Sequence, residues 1–448
     1  MFSPSELHQQ LDTRLALPRD AAVCVAFSGG LDSTVLLHAM ARLQRHPLRA
    51  VHIDHGLHAD SASWSAHCDR QARALGVEFV SQAVSVDHIE ALGLEAAARA
   101  ARYQALSHIL RDGEYLLSAH HADDQLETLL LALMRGAGLP GLSAMPAMQP
   151  FAKGWLARPL IAFTRAELEQ WARAERLTWL SDPSNENLSL DRNFLRRKII
   201  APLRERWPST AQTAARSTEH LQAASRLLDQ LAALDADGAL VGECLDVERL
   251  RLLDSERRRN LLRFWIRGRG ARATSTRKLI AIEHEMLAAG VDRIPCMEWD
   301  GWEVRRHRDL LYCQPCLPDL DLDQRLAWPA TSPLALPSAL GELRLENSVS
   351  GGLSAARIGD SLEVRFRAGG ESLLPAGHAC HRKLKKLLQA AAILPWWRDR
   401  LPLIYARDRL LAVGDLWIEA EFAAREGEPA YSILWQGRPR IESQPRPR

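Results

Sequence analysis

The segment Ser28–Thr34 carries the residues whose types and spacing most clearly suggest chemistry. It reads Ser-Gly-Gly-Leu-Asp-Ser-Thr, follows the apolar run Val23–Phe27 and precedes Val35–Met40, whose apolar spacing is typical of a helix. A strand, a glycine turn and a helix N-terminus together present backbone N–H groups that bind phosphate. The alternative is a simple strand-to-helix turn that Ser33 caps. Because the segment lacks the lysine of the common G-x-x-x-x-G-K-[ST] loop and has Asp32 at the helix start, we predict that it binds a magnesium-bound pyrophosphate.

A second polar cluster, His120–Thr128, follows the apolar run Tyr115–Ala119. Asp124 and Glu127 are three residues apart, so on a helix they share one face of its first turn. Two carboxylates there can hold an ammonium group or a metal ion; alternatively, Asp123 caps the helix and the acids complement its dipole. Zinc is not expected at the two adjacent histidines, because their side chains diverge.

The elements that position these clusters alternate between strand and helix patterns. Strand-like Leu48–Asp54 and Val77–Val80 alternate with helical patterns at 61–75 and 95–110. This alternation predicts an α/β fold with a doubly wound parallel sheet. Ligands of such sheets bind beyond the carboxyl ends of the strands, so the phosphate loop, residues 52–55 and residues 120–127 are expected to converge on one crevice.

Four motifs, in this order and spacing, resemble the tRNA(Ile)-lysidine synthetase family of PP-loop ATP pyrophosphatases. They are S-G-G-x-D-S at Ser28–Ser33, V-H-x-x-H-x-L at Val51–Leu57, H-H-x-x-D-x-x-E-T at His120–Thr128 with a trailing Arg135-Gly136, and D-x-S-N at Asp182–Asn185 followed by R-N-x-x-R at Arg192–Arg196. Residues 373–418 resemble the C-terminal domain of the longer bacterial members. The resemblance covers most of the chain and is weakest by motif in the middle region.

The resemblance implies a two-step reaction. ATP first adenylylates O2 of the wobble cytidine in tRNA(Ile) with a CAU anticodon, and the ε-amine of free L-lysine then displaces AMP from C2. The cytidine oxygen becomes a leaving group only after adenylylation, and the attacking amine must be held close and deprotonated.

The resemblance also implies roles for individual residues. Asp32 would bind Mg²⁺ and act with Arg135 and Arg196 in catalysis, the two arginines stabilising phosphate charge. Asp124 and Glu127 would bind lysine through its charged groups. The implied ATP-binding positions are Ser28, Gly29, Gly30, Leu31, Asp32, Ser33, His52 and Asp54.

Basic stretches are the predicted tRNA contacts. The formal net charge is only +2, so a polyanion must be met by local patches. The predicted contacts are Arg192 and Arg197 in the first stretch, Arg258 and Arg263 in the second, and Lys383, Lys385 and Lys386 in the third. For the first two stretches, the alternative is a helix that packs on one face and exposes its charged face to water.

The chain of 448 residues, 47% of them hydrophobic, is long enough for more than one core. We predict a catalytic domain at 1–208, a helical tRNA-binding domain at 209–320, a small α+β tRNA-binding domain at 321–437 and a disordered tail at 438–448. The sequence leaves the oligomeric state open, a homodimer included.

Composition and motifs argue against several other classes of protein. No run reaches the length of a membrane span and the first residues lack the features of a signal peptide, so we expect a cytoplasmic protein. Seven scattered cysteines do not form a disulfide framework, and Cys313 and Cys316, the only C-x-x-C, are interpreted as structural thiols rather than as a metal or redox site. A tRNA thiolase is the alternative function, but no C-x-x-C accompanies the phosphate loop. A noncatalytic RNA-binding protein would not need Asp32, Asp124 and Glu127.

Overall fold

The computed structural model describes residues 1–56, 61–87, 93–181, 187–271, 275–290, 293–349, 351–359 and 361–442. The chain divides into two compact units, Met1–Leu228 and Asp229–Arg448. The phosphate loop and the second polar cluster both belong to the first unit. The three-domain division inferred from the sequence stays a prediction.

Six strands form the sheet of the first unit. They are β1 (Val23–Ala26), β2 (Leu48–Asp54), β3 (Glu78–Ala83), β4 (Tyr115–Leu117), β5 (Met148–Phe151) and β6 (Gly154–Ala157). Their order is β3-β2-β1-β4-β6-β5, with β5 antiparallel to β6 and all other pairs parallel. The predicted α/β fold with a parallel sheet is confirmed, whereas the β5–β6 hairpin was not predicted.

The helices of the first unit are α1 (Pro4–Gln9), α2 (Leu31–Leu43), α3 (Ser61–Ala74), α4 (Leu94–Ile109), α5 (Ala122–Met134), α6 (Leu139–Leu142), α7 (Arg165–Ala174), α8 (Asp191–Phe194), α9 (Ala201–Arg206) and α10 (Thr210–Ala236), the last of which continues into the second unit. Both faces of the sheet are covered: Val25 of β1 shares a hydrophobic core with α2, and Cys24, its neighbour on the other face, shares one with Leu106 of α4. Gln10–Arg14 and Leu195–Ile200 are π-helical. The second π segment joins α8 to α9, so residues 191–206 form one continuous helical stretch. Its wider turn shifts which side chains share a face, as is common at functional sites.

The second unit contains many short strands. These are β7 (Leu240–Val241), β8 (Cys244–Asp246), β9 (Cys296–Trp299), β10 (Trp302–His307), β11 (Leu310–Pro315), β12 (Arg325–Pro329), β13 (Leu334–Ala335), β14 (Glu342–Ser348), β15 (Leu353–Ser354), β16 (Ser361–Arg365), β17 (Ser372–Leu373), β18 (Arg382–Lys383), β19 (Leu403–Ala406), β20 (Arg409–Val413), β21 (Trp417–Ile418) and β22 (Ala430–Gln436). The larger sheets have the orders β7-β8-β11-β10-β9, β12-β16-β19-β20-β21 and β13-β14-β22-β15.

Helices of the second unit are α11 (Val247–Arg251), α12 (Ser255–Gly268), α13 (Thr276–Ala288), α14 (Ala355–Ile358) and α15 (Leu384–Ala390); 3-10 turns cover Pro395–Arg400 and Ala420–Phe422. One hydrophobic core contains Trp265 and Ile282, and a second contains Trp328 and Leu403. The second predicted basic stretch, with Arg258 and Arg263, lies on α12, and Lys385 and Lys386 of the third lie on α15. The helices expected for 209–320 are present, and the five-stranded sheet that starts with β7 accompanies them, which was not predicted.

The end of the described chain packs onto the second unit. Ile441 is fully buried and Arg438 forms an ion pair with Asp415. Among the described residues, no helix combines the length and the apolar character that crossing a membrane requires.

Candidate active site

The phosphate loop connects β1 to α2, as the sequence predicts. Gly30 is the N-cap of α2 and no side chain caps the helix there. Ser33 lies one turn further on: its hydroxyl donates to the carbonyl of Gly30 at 3.1 Å and accepts the N–H of Ser28 at 3.2 Å. The two serine hydroxyls are 3.1 Å apart. Ser33 therefore shapes the loop rather than capping the helix, and the N–H groups at the start of α2 stay available to an anion.

Gly29 is the position in this loop that requires glycine. Its φ is +78°, and a Cβ atom would lie 2.9 Å from both Cys68 Sγ and Leu180 Cδ1. Its carbonyl accepts the N–H of Leu180 at 2.9 Å and the hydroxyl of Thr34 at 3.3 Å. Backbone and packing together thus fix the loop, because a side chain here would be strained and would clash.

His52 and Asp54 lie at the end of β2, next to the loop. His52 is buried and its Nδ1 donates to the carbonyl of Phe27 at 2.9 Å, which fixes the end of β1. Asp54 accepts the N–H of Gly56 at 2.9 Å and shapes the following turn. Their predicted contact with adenosine stays a prediction.

His121 connects the phosphate loop to the acidic helix α5. It is the N-cap of α5, and its N–H donates to Asp124 Oδ2 at 3.0 Å. Its Nε2 lies 3.4 Å from Asp124 Oδ2 and 3.6 Å from Asp32 Oδ2. Sequence reasoning weighed His121 only as a zinc ligand and missed this role, although its place between a strand end and two acids was visible.

Electrostatics in this cluster favour charged forms. Burial alone would lower the pKa of His121, but the charges of Asp124 and Asp32 outweigh it and the pKa is raised. Burial alone would raise the pKa of Asp124, but His121, His120 and Arg196 lower it to about 2. His121 and Asp124 thus stabilise each other's ionised forms.

Glu127 and Arg196 form a bidentate ion pair. Arg196 donates to the two Glu127 oxygens at 2.7 Å and 3.0 Å, and its guanidinium also lies 3.8 Å from Asp124 Oδ1. Glu127 is only 1% exposed; burial raises its pKa even though Arg196 acts in the opposite direction. The structure therefore brings together the predicted lysine-binding carboxylates and one predicted catalytic arginine, with Arg196 positioned by the π segment.

Two further arginines of the stretch 191–206 contact α5. Arg192 donates to the hydroxyl of Thr128 at 3.3 Å. Arg204 forms an ion pair with Asp123, whose other oxygen accepts the N–H of Arg165 at 2.7 Å. Asp123 is therefore held by contacts with later segments, not used as the helix cap.

Arg135 is not brought to this cluster. It is the exposed C-cap residue of α5, and at 1.5 Å per residue it lies roughly 16 Å along the helix from Asp124. Arg197 is exposed on the stretch 191–206. The motif residues Asp182–Asn185 and Leu57 lie outside the described residues.

The remaining predicted tRNA contacts belong to the second unit. Arg258 forms an ion pair with Glu283 at 3.2 Å, while burial lowers the pKa of Arg263. Lys383, Lys385 and Lys386 are exposed around the start of α15. RNA contact by these basic residues stays a prediction.

Cys313 belongs to the C-x-x-C of the second unit. Burial raises the pKa of its thiol to about 12, which keeps it protonated.

Three arginines near the site were missed by sequence reasoning. The guanidinium groups of Arg99 and Arg102 lie 5.0 Å and 5.7 Å from the centre of the Tyr103 ring. Arg158 is 3% exposed, donates to the carbonyl of Pro146 at 2.7 Å and keeps a buried Nε without a hydrogen-bond partner. Burial lowers the pKa of His120 to about 3; the charge of Asp124 opposes this shift, and the charges of the three arginines add to it. Among the described residues, no carboxylate lies within ion-pair distance of the three, which is typical of an anion site.

Three parts of the chain match known family models. Residues 4–203 match the family model of the PP-loop domain, residues 245–312 that of the TilS substrate binding domain, and residues 362–435 that of the TilS substrate C-terminal domain. The U34-tRNA thiolase NcsA from Methanococcus maripaludis is a distant structural neighbour, with a TM-score of 0.42 and 18% identity over 49% of this chain and 76% of that one.

Full-length relatives are much more similar. The tRNA(Ile)-lysidine synthase of Coxiella burnetii is 39% identical over 438 residues, 97% of this chain and 96% of that protein. The tRNA(Ile)-lysidine synthase of Alkalilimnicola ehrlichii is 41% identical over 437 residues, 95% of this chain and 96% of that protein. The chain belongs to the tRNA(Ile)-lysidine synthase family.

Proposed function

We propose that this enzyme ligates L-lysine to C2 of the wobble cytidine of tRNA(Ile) with a CAU anticodon, through an adenylylated tRNA, with release of AMP and pyrophosphate. As a member of its family it is an ATP-dependent ligase that forms a C–N bond. The observation that carries the proposal is the contact of His121 with both Asp32 of the phosphate loop and Asp124 of the acidic helix. This contact of His121 connects the proposed nucleotide site at Asp32 to the proposed site for a cationic amine at Asp124.

The charges of the cluster favour that amine. Its carboxylates are Asp32, Asp123, Asp124 and Glu127, and its cations are Arg196, Arg204 and protonated His121. One negative charge therefore remains in excess when His121 is protonated. Because Arg196 is engaged with Glu127 through both oxygens, Asp124, with its low pKa, is the stronger candidate for the lysine ammonium.

Asp32 fits a magnesium ligand. Its Oδ1 is buried without a hydrogen-bond partner, and carboxylate oxygens are the protein ligands that Mg²⁺ prefers. Bound there, the ion would neutralise negative charge on the phosphates of ATP. The loop N–H groups and the hydroxyls of Ser28 and Ser33 hold the pyrophosphate, and Arg99, Arg102 and Arg158 bind an anionic group of a substrate.

The function is tested by incubating the protein with ATP, labelled lysine and tRNA transcripts that differ only in the anticodon. Labelling of the CAU transcript with release of AMP is expected. Absence of labelling, or equal labelling of every transcript, contradicts the proposal.

Substitution of Asp32 tests the mechanism. Asp32→Ala should abolish both AMP release and lysine incorporation while tRNA affinity stays near that of the wild type. Asp112→Ala, which removes an exposed carboxylate from the turn before β4, is the matched control and should leave the reaction unchanged. Normal incorporation by Asp32→Ala would contradict its proposed role.

A further inference from the structure

The stretch 191–207 exposes large apolar side chains next to basic ones. Phe194, Ile199 and Trp207 are 47%, 39% and 58% exposed. Lys198 and Arg206 are also exposed, and the guanidinium of Arg206 lies 5.7 Å from the centre of the Trp207 ring. Leaving such rings in water is unfavourable, so a group that covers them would gain binding energy.

The inner side of the same stretch holds it in place. Arg196 and Arg204 form ion pairs with Glu127 and Asp123 of α5. Phe194 is only two residues from Arg196, so its ring is presented from a stretch that is anchored at the candidate active site. The anchoring lowers the entropic cost of presenting these rings to a ligand.

We propose that Phe194 and Trp207 stack on unpaired bases of the RNA substrate while Lys198 and Arg206 contact its phosphates. Exposed aromatic rings among cations are the usual means of binding single-stranded nucleic acid, because every base has a face that stacks. Residues 191–207 contain six basic and two acidic side chains; Arg196 and Arg204 are paired with carboxylates of α5, and the exposed Lys198 and Arg206 are the cations presented to a polyanion. The two rings are roughly 20 Å apart along the stretch, so they contact different nucleotides.

This inference rests on the proposed function, since the RNA is the proposed substrate. The test measures the affinity of the full chain for the CAU transcript and for a continuous duplex with the same stem sequence. Phe194→Leu and Trp207→Leu should each bind the transcript roughly 5- to 100-fold more weakly, the range that loss of one stacked base produces, and bind the duplex unchanged. Phe194→Tyr and Trp207→Phe retain a ring and should retain affinity.

A matched control removes an exposed tryptophan elsewhere in the same unit. Trp155 pairs in register with Tyr115 at the start of β4, away from the carboxyl ends of the strands, and Trp155→Leu should bind both RNAs normally. The leucine variants should keep the salt dependence of binding, whereas Lys198→Ala and Arg206→Ala should each reduce the slope of log affinity against log salt by about 1.

The outcomes separate this inference from the proposed function. If the leucine variants bind the transcript normally and the wild type incorporates lysine, stacking is wrong and the function stands. If they change the sedimentation of the free protein and leave RNA affinity intact, the surface is a protein interface and the inference is also overturned. If the wild type binds the transcript without incorporating lysine, the proposed function fails, and weaker binding by the leucine variants would still support stacking.

Discussion

Two arginine-rich stretches, residues 191–206 in the first unit and α12 in the second, have similar compositions but different partners. Arg196 pairs with a carboxylate that is almost completely buried in the candidate active site. Arg258 pairs with Glu283 and Arg257 with Asp235, while the apolar face of α12 packs into a core. Charge density in a sequence therefore does not indicate whether the charge is available to a ligand; the carboxylates that surround it decide.

The largest effect that distinguishes the stretches is expected at Arg196. Arg196→Ala leaves Glu127 buried without its counter-charge and should lower the free energy of unfolding by about 2 to 4 kcal/mol. Unfolding in urea measures this loss, and Arg196→Lys should recover part of it. A loss below about 1 kcal/mol would mean that Glu127 is already neutral in the folded protein.

The lysines at the start of α15 extend the comparison to a basic segment with exposed charges. Replacing Lys383, Lys385 and Lys386 together with alanine should weaken tRNA binding and reduce the magnitude of the salt slope by roughly 2 to 3, since each lost phosphate contact contributes about 0.9. Titrations at several salt concentrations measure the slope. An unchanged slope would show that this segment does not contact the RNA backbone.

The pH dependence of the unfolding free energy should come from His121, which lies in the same charged cluster as Arg196 of residues 191–206. Arginine–carboxylate pairs stay ionised at neutral pH, whereas His121, whose pKa is raised by the charges of Asp124 and Asp32 against the effect of burial, loses its proton as the pH rises. Its stabilisation is complete below the unfolded pKa of about 6.5 and is lost as the pH rises through the folded pKa. The difference in unfolding free energy between wild type and His121→Gln, measured in urea from pH 5.5 to 9, should therefore shrink as the pH rises. A difference that does not change with pH would contradict the charged state assigned to His121.

The smallest effect is expected at Arg258. Arg259 also lies 3.8 Å from Glu283, so Arg258→Ala leaves that carboxylate a partner and should cost less than about 1 kcal/mol. For the Arg258→Ala variant, the slope of log tRNA affinity against log salt should stay close to that of the wild type. A clear reduction in slope would place α12 with the lysine segment instead.

Sequence patterns predicted the elements that local periodicity determines. The run Val23–Phe27, the glycine turn and the acidic helix were all recognisable, because each is defined within about a dozen residues. The Glu127–Arg196 pair was not, since it joins residues far apart in the chain and depends on a π-helical segment. Arg99 and Arg102 belong to the helical pattern at 95–110, and a helical pattern does not indicate which residues its polar side chains contact.

Two other differences between the predictions and the structure also have local causes. The strands β7 to β9 have only two to four residues, and β10 carries two arginines and a histidine in six residues, so hydrophobic alternation is weak there. Arg135 follows the acidic motif closely in sequence, but a straight helix converts that short separation into a distance that spans most of α5.

The hydrogen bond between Leu180 and Gly29 has a consequence for the order in which the protein is made. It joins residues roughly 150 positions apart, so the nascent phosphate loop lacks one of its walls until the chain has grown past Leu180. At about 5 to 20 residues per second, that interval lasts roughly 8 to 30 seconds on the ribosome. The nucleotide site is therefore among the last parts of the first unit to be completed, although its sequence is among the first to be synthesised.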